Sequence, residues 1–240
     1  MISYDIILRR YGHLDGAELL KPLIHEVFPD RLALVSSFGT ESAVLLHMVS
    51  RIRPDLPVIF LDTGKLFGET QAYRRALVSR LGLTDVRAVT PLPDAVDTLD
   101  PKGDLWLRDN DACCALRKVE PLERALRGFQ AWITGRKRFH GGERTGLTTM
   151  ESVDWRLKVN PLARWTFEDV QAYFEAHGLP RHPLVDQGYL SVGCMPCTAP
   201  TDPASGVRSG RWANAGGRRK TECGIHLRPD GRTVRTIRVV

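Results

Sequence analysis

In its first quarter the chain reads Arg31-Leu-Ala-Leu-Val-Ser-Ser-Phe-Gly-Thr-Glu-Ser42. The apolar run from Arg31 to Ser36 has the length of a buried strand, and apolar residues at helical spacing follow from Thr40 to Ile52. The small-residue turn between them is either an ordinary strand–helix loop or an anion site built from free backbone N–H groups and the helix dipole. It lacks the Gly-Lys-Ser/Thr ending of a Walker P-loop, so it does not support triphosphate hydrolysis of that type.

The same alternation of patterns continues over the first two thirds of the chain. Further runs of strand length are Pro57–Leu61, Asp85–Val89 and Gln130–Thr134, and further helical patterns are Asp15–Phe28, Phe67–Leu81 and Ala115–Arg127. Strand, helix and strand in repeated order predict an α/β fold, with a mostly parallel twisted sheet and helices on both faces.

The expected site lies at one edge of this sheet. Ligands of such sheets bind outside the carboxyl ends of the strands, where the turn at 36–42 and the segment Asp62-Thr63-Gly64 both fall. After residue 150 the sequence predicts a strand and turn over Trp155–Leu162 and an amphipathic helix over Thr166–His177, with Thr166 as its N-cap. From Pro180 onward, prolines, glycines and arginines predict loops over the site.

Length and charge set broad limits. A chain of 240 residues can bury one core, and it has no apolar run long enough to span a membrane and no secretory signal, which predicts a cytoplasmic protein. The whole chain carries a net charge of +6. Residues Val207 to Val240 include nine basic and two acidic residues, a local charge of +7, so residues 1–206 sum to about −1. We therefore expect one α/β domain over 1–206 and a basic, mobile segment over 207–240. That segment suits a phosphate- or sulfate-bearing ligand better than nucleic acid, because Trp212 is its single aromatic residue.

The five cysteines divide into two close pairs and one single residue. Cys113 and Cys114 are adjacent, Cys194 and Cys197 form Cys-Met-Pro-Cys, and Cys223 stands alone. Two pairs are typical of a zinc site or an iron–sulfur cluster, and the adjacent pair favours a cluster because its irons are spread over a larger volume. Buried cysteines without a ligand and a thioredoxin-like redox pair are the alternatives.

Basic residues surround the remaining features of chemical interest. Cys223 follows Arg218-Arg-Lys220, and nearby positive charge favours the nucleophilic thiolate, although an exposed cysteine without a role is the alternative. Lys118, just after the adjacent cysteines, is either a solvated charge or a bridge from a metal centre to an anionic substrate. The loop after the strand at Trp132 contains four basic residues, which are either solvated charges or a clamp for an anion. They are Arg136, Lys137, Arg138 and Arg144.

Taken together in chain order, these motifs resemble the bacterial, iron–sulfur type of assimilatory adenylyl-sulfate reductase, which is related to the phosphoadenylyl-sulfate reductases. The matching pieces are Ser-Ser-Phe-Gly-Thr-Glu-Ser at 36–42, Leu-Asp-Thr-Gly at 61–64, Cys-Cys-Ala-Leu-Arg-Lys-Val at 113–119, Trp-Ile-Thr-Gly-Arg at 132–136, Asn-Pro-Leu at 160–162, Cys-Met-Pro-Cys at 194–197, Gly-Arg-Trp at 210–212 and Lys-Thr-Glu-Cys-Gly-Ile-His at 220–226. The resemblance implies a fold like that of the ATP pyrophosphatases.

It also implies roles for individual residues. The two cysteine pairs would hold a 4Fe-4S cluster, and Cys223 would be the nucleophile that takes the sulfonate group from adenosine 5′-phosphosulfate (APS). Lys118, Arg208 and Arg211 would neutralise the substrate in that step. The remaining substrate-binding residues would be Ser36, Ser37, Phe38, Gly39, Asp62, Thr63, Gly64, Gly135, Arg144 and His226. One departure is Arg138-Phe-His-Gly-Gly-Glu-Arg144, which differs from the family pattern and leaves His140 without an assigned role.

The expected reaction is the reduction of APS to sulfite and AMP, with reduced thioredoxin or glutaredoxin as electron donor, in sulfate assimilation and cysteine biosynthesis. The expected partners include neither membrane nor nucleic acid, and the chain is expected to form a homo-oligomer. Three alternatives stay open: reduction of the 3′-phosphorylated substrate (PAPS), an ATP-using sulfurtransferase or pyrophosphatase, and an iron–sulfur regulator that binds nucleic acid.

Overall fold

A computed structural model describes residues 3–153, 155–213, 222 and 224–226. Its centre is a sheet of six strands in the order β3-β2-β1-β4-β6-β5, and every neighbouring pair is parallel except β5 with β6. The strands are β1 Leu32–Val35, β2 Val58–Leu61, β3 Val86–Val89, β4 Ala131–Ile133, β5 Met150–Val153 and β6 Arg156–Val159. The predicted α/β class and mostly parallel sheet are confirmed.

Helices connect these strands. They are α1 Tyr4–Tyr11, α2 Gly16–Pro22, α3 Ser42–Ile52, α4 Gly68–Leu81, α5 Pro93–Leu99, α6 Leu105–Arg108, α7 Asn110–Cys114, α8 Glu120–Ala125 and α9 Phe167–Ala176. Among the described residues no helix combines the length and the apolar character that crossing a bilayer requires.

Both faces of the sheet are covered, as alternate strand residues show. Leu32 and Leu34 of β1 pack into the larger core with α2, α3 and α9, whereas Ala33 between them packs on the other face with Leu122 and Leu126 at α8. Successive side chains of a strand point to opposite faces, so continuous apolar runs are the sequence signature of strands buried on both sides. Three central strands therefore deliver their carboxyl ends to one edge, which is where the candidate site lies.

The element boundaries differ from the predicted ones in three places. The helix predicted over Asp15–Phe28 is α2 followed by a π-helical turn at Leu23–Val27, because Pro22 has no N–H to donate to the regular α-helical pattern. The helix predicted from Ala115 begins five residues earlier as α7 and passes through a second π turn, Ala115–Val119. Strand β5 was not predicted, and it joins the edge of the sheet as the antiparallel partner of β6.

The second half of the chain follows the sequence expectation more closely. Thr166 caps α9, accepting a hydrogen bond from the Asp169 N–H, while the Asp169 carboxylate accepts one from Thr166 N–H, which is a capping box. Beyond α9 the described segments hold 3₁₀ turns and two isolated β-bridges. The predicted boundary between residues 206 and 207 stays a prediction, because most of 207–240 lies outside the described residues.

Phe38, which the resemblance places among the substrate residues, has its side chain in the core. Its side chain is fully buried, and its ring meets that of Phe60 edge to face with centroids 5.4 Å apart. Its backbone is left-handed, with φ of 48°, and this turn directs the side chain beneath the loop. Phe38 therefore supports the loop at 36–42 from below.

We predict that Phe38→Ala lowers the free energy of unfolding by about 3–5 kcal/mol, because it leaves a cavity in a packed core. Urea denaturation followed by circular dichroism measures this. A matched control is Phe167→Ala, since Phe167 is 39% exposed, and it should cost about 1 kcal/mol or less. If Phe38→Ala keeps its stability but loses nucleotide binding, the Phe38 side chain contacts the substrate and does not support the core.

Candidate active site

A cleft opens at the carboxyl ends of β1, β2 and β4. Its wall includes Ser36, Ser37 and Gly39 after β1, Thr63 after β2, and Gly135 after β4. The opposite wall comes from the loops that follow α9 and from the turn at 224–226. The topology of a parallel sheet thus brings together short segments that lie about a hundred residues apart in the chain.

The first loop is held in shape by its own side chains. Ser36 Oγ accepts a hydrogen bond from the Phe38 N–H at 3.2 Å, and Thr40 Oγ1 donates to the Leu190 carbonyl at 2.8 Å. Gly39 is tightly enclosed, because a Cβ there would lie 3.3 Å from Ser37 Oγ. Since α3 begins at Ser42, the positive end of its dipole faces the cleft and favours an anion there.

The described wall of the cleft is strongly basic. Six Lys or Arg side chains line it against one acid, Glu41. Four of these cations pair with carboxylates that are buried or half-buried: Lys137 Nζ donates to Glu41 Oε2 at 2.7 Å, Arg136 pairs with Glu151, Arg144 pairs with Glu222, and Arg208 Nη2 lies 4.0 Å from Glu222 Oε2. Burial alone would raise the pKa of Glu41, but Lys137 and His140 hold it well below its ordinary value, so the carboxylate is charged.

Lys118, Arg208 and Arg211 also line the cleft. The Arg208 and Arg211 guanidinium groups lie over the Trp212 ring, 5.1 and 4.9 Å from its centroid, and Arg211 Nη1 donates to the Val192 carbonyl at 2.8 Å. Arg211 also packs flat on Gly193, where an added Cβ would lie 2.4 Å from Nη2. Stacking and close packing therefore fix the direction of the Arg211 side chain.

A second, smaller cavity holds the four paired cysteines. Cys113 and Cys114 come from the end of α7, and Cys194 and Cys197 come from the Cys-Met-Pro-Cys loop. That loop is fixed on both sides, since Met195 N–H donates to the Lys65 carbonyl at 2.8 Å and Trp212 N–H donates to the Cys197 carbonyl at 2.7 Å. All four are free thiols, and three of them are buried.

Polar side chains contact the sulfurs from outside. Thr63 Oγ1 lies 3.3 Å from Cys194 Sγ, and Asn110 Nδ2 donates to Cys197 Sγ at 3.2 Å. Burial, together with the neighbouring Cys194, raises the pKa of Cys113 to about 11. In the described part of the chain no three His, Cys, Asp or Glu side chains converge as a single metal ion requires. Four thiols line the cavity, and thiolates are the ligands of both zinc sites and iron–sulfur clusters.

The two cavities share part of their walls. Lys118, Cys194 and Arg211 line both the basic cleft and the cysteine cavity. Behind the cysteines, the Arg117 guanidinium donates to Asp100 Oδ2 at 2.7 Å and to the Thr63 carbonyl at 2.8 Å, which ties the cysteine helix to the loop after β2. An anion in the cleft would therefore lie next to whatever the cysteines hold, with two cations between them.

The sequence-predicted residues fall into two groups. Those that line the cleft are Ser36, Ser37, Gly39, Thr63, Lys118, Gly135, Arg144, Arg208, Arg211 and His226. Phe38, Asp62 and Gly64 lie beside it: Asp62 Oδ1 accepts from Gly64 N–H at 3.1 Å and Oδ2 accepts from Gln71 Nε2 at 2.8 Å, so Asp62 shapes the turn. Cys223, the predicted nucleophile, lies outside the described residues.

The predicted anion clamp at 136–144 needs correction. Arg136 and Lys137 are neutralised by carboxylates, and Arg138 donates to the Leu147 carbonyl away from the cleft. His140, which had no assigned role, connects Glu41 to Arg144 through its two ring nitrogens. Local sequence holds no signal for these pairs, because the partners come from distant parts of the chain.

Comparison with known proteins fits this arrangement. The phosphoadenosine phosphosulfate reductase domain matches residues 31–200. A protein of Mesorhizobium japonicum named adenosine 5′-phosphosulfate reductase is 52% identical over 217 residues, which cover 90% of this chain and 84% of the relative. One of Gloeobacter violaceus named phosphoadenosine 5′-phosphosulfate reductase is 42% identical, covering 83% of each chain.

Solved structures show the same fold. The phosphoadenylyl-sulfate reductase of Candida auris, in a phosphate complex, superposes with a TM-score of 0.66 at 28% identity, covering 81% of this chain and 97% of that one. The FMN adenylyltransferase of Candida glabrata shares the fold alone, with a TM-score of 0.54 at 16% identity over 83% of this chain and 69% of that one. Since the domain match extends over more than half of the length of this chain, the chain belongs to the phosphoadenosine phosphosulfate reductase family.

Proposed function

We propose that this chain reduces adenosine 5′-phosphosulfate to sulfite and AMP through a covalent intermediate on Cys223. The observation that carries the proposal is the basic cleft that shares Lys118, Cys194 and Arg211 with a four-cysteine cavity. Relatives at 52 and 51% identity bear the name of this reaction.

The choice between APS and its 3′-phosphorylated form rests on the cysteines. Identity does not decide it, because relatives at 42% identity carry either name. The resemblance associates the two cysteine pairs with the unphosphorylated substrate, and this chain has both pairs. We therefore propose APS as the substrate.

In the first displacement, the Cys223 thiolate attacks the sulfur of the bound sulfate group. An S–S bond forms while the bond from sulfur to the phosphate oxygen breaks, and AMP leaves with that electron pair. A thiolate approaching a sulfate is opposed by like charge, so cations have to neutralise the site. Lys118, Arg208 and Arg211 line the cleft, and each charge-assisted contact could contribute about 1.5–3 kcal/mol.

In the second displacement, reduced thioredoxin or glutaredoxin supplies the electrons. Its thiolate attacks Cys223 Sγ of the adduct, sulfite leaves with the electron pair of the S–S bond, and a mixed disulfide remains. The donor's second thiol resolves that disulfide, which restores the Cys223 thiol and leaves the donor oxidised. We assign the reaction to the cytoplasm, where thiols are kept reduced. The segment 207–240 is proposed as the basic part of the chain that carries the nucleophile, and the chain is proposed to act as a homo-oligomer.

The four paired cysteines fit a 4Fe-4S cluster as a donor set. Cys113, Cys114, Cys194 and Cys197 would hold it, since all four are free thiols that surround one cavity. When bound, the cluster would shape the local structure and charge of the site and would not relay electrons, because the redox chemistry takes place between thiols. Lys118 and Arg211 would lie between it and the substrate.

We predict that the anaerobic protein gains the mass of one SO₃ group when it is incubated with APS without a thiol donor. Intact-protein mass spectrometry measures this gain, which thioredoxin should remove and Cys223→Ser should abolish. A gain with PAPS alone would keep the chemistry and correct the substrate. No gain with either substrate would contradict the proposal.

A second prediction concerns the cofactor. Anaerobically purified protein should contain about four iron and four sulfide per chain, the composition of a 4Fe-4S cluster. Cys197→Ala should lose most of both because the cluster loses one of its thiolates, and Cys223→Ser should retain them as the matched control. If the wild-type protein contains stoichiometric zinc and no sulfide, the four cysteines form a zinc site and the cluster proposal is wrong.

A further inference from the structure

A network of buried side chains beside the cleft has no part in the chemistry described so far. Lys137 Nζ donates to Glu41 Oε2 at 2.7 Å, and the same oxygen lies 2.9 Å from His140 Nε2. His140 Nδ1 lies 2.9 Å from Arg144 Nη1, and Arg144 Nη2 donates to Glu222 Oε2 at 2.9 Å. The network therefore runs from the start of α3 to the residue that precedes Cys223 in the sequence.

Hydrogen-bond chemistry fixes the state of His140. A guanidinium can only donate, so Nδ1 must accept from Arg144, and Nε2 carries the proton that is donated to Glu41. Burial lowers the pKa of His140 to about 4, so the ring is neutral near pH 7. Two ion pairs, Lys137 with Glu41 and Arg144 with Glu222, are thus joined by a neutral imidazole.

Arg144 has its guanidinium group occupied by this network. Nε and Nη2 hold the two Glu222 oxygens, and Nη1 holds His140. Arg144 and Glu222 are 7% and 3% exposed, so this is a buried two-pronged pair, the geometry that an Arg fork makes best. Such an arginine holds the protein chain, whereas the resemblance assigns it to the substrate.

The chain on the far side of Cys223 is also fixed to the cleft wall. The His226 ring stacks parallel to Trp132 of β4, with an interplanar angle of 2° and centroids 6.2 Å apart. Gly224 packs against Val119 so closely that an added Cβ would lie 3.0 Å from Cγ2. Described residues on both sides of the predicted nucleophile are therefore anchored, one by charge and one by stacking.

We propose that the Glu222–Arg144 pair, backed by His140 and Glu41, is a latch that positions the Cys223 segment at the cleft. The proposal rests on Cys223 being the nucleophile. Arg144 and Glu222 are then positioning residues, and Arg144 acts through Glu222 instead of gripping the substrate. Glu222 Oε2 also lies 4.0 Å from Arg208 Nη2, so Arg144→Met, which leaves that contact in place, is the variant that reports on the latch alone. It should affect the rate of the covalent step more than it affects the affinity for substrate.

The test compares Glu222→Gln, Arg144→Met and the double variant in the intact cluster-loaded protein. Three quantities are measured: amide hydrogen exchange at residues 224–226, the equilibrium affinity for APS, and the single-turnover rate of SO₃ transfer to Cys223. Glu123→Gln is the matched control, because it removes a carboxylate that accepts from Arg156 Nη1 at 2.8 Å on the surface of α8.

A latch predicts faster exchange at 224–226 in both single variants and transfer slowed by up to about 100-fold, since small misplacements of a reacting group cost that much. Affinity should stay within about threefold, and the double variant should be no worse than the poorer single variant, because the partners act as one unit. Glu222→Asp, which keeps the charge, should recover part of the rate, and the Glu123 control should match wild type.

Other results would overturn the latch. Unchanged exchange in both single variants would do so whether or not the protein reacts with APS. A large loss of affinity in Arg144→Met alone would make Arg144 a substrate ligand. Tighter binding with undiminished transfer in Glu222→Gln would mean that Glu222 occupies the substrate's anion site. If exchange rises in the variants but the wild-type protein forms no adduct, the latch stands and the proposed function fails.

Discussion

The proposed reaction has to bring one anion against another. A thiolate and a sulfate about 4 Å apart repel each other by about 4 kcal/mol at an effective dielectric constant of about 20, before any metal-bound thiolates nearby are counted. The structure meets this constraint with a basic wall in which Lys118 and Arg211 face both the cleft and the cysteine cavity. The position of these two cations places positive charge between the four cysteines and the cleft.

The basic side chains that line the cleft differ in the groups that they contact. Arg136, Lys137 and Arg144 each pair with a buried carboxylate, so they order the loops around the site instead of adding to its net charge. Burial alone would raise the pKa of Glu222, but Arg144, with smaller contributions from Arg208 and Arg136, lowers it. Arg208 and Arg211 lie over the Trp212 ring, which fixes their direction, and Arg208 Nη2 also lies 4.0 Å from Glu222 Oε2.

The sequence alone was sufficient to predict a mostly parallel sheet and the edge of that sheet at which the cleft lies. The strands Leu32–Val35 and Val58–Leu61 are buried on both faces, so their apolar runs are continuous and easy to recognise. The edge strand Met150–Val153 lacks such a run, because Glu151 sits within it as the partner of Arg136. Motif order also placed the four cysteines in two pairs, which the structure brings around one cavity.

The pairing of charges could not be predicted in this way. Glu41, His140 and Glu222 are brought together by tertiary packing across about 180 residues of chain, and no local pattern marks them as partners. The direction of the Phe38 ring could not be predicted for a related reason, since a left-handed turn within the loop sends that ring into the core. Motif matching identifies which residues matter, whereas the direction of each side chain depends on backbone geometry and distant neighbours.

The central claim is that Lys118, Arg208 and Arg211 neutralise the sulfate group beside the cysteine cavity. A crystal structure of the Cys223→Ser protein with APS, determined anaerobically, tests it most directly. The account predicts sulfate oxygens within hydrogen-bond distance, about 2.7–3.2 Å, of at least two of these three side chains. A sulfate group directed into solvent, or held by Arg144 with Glu222 displaced, would contradict it.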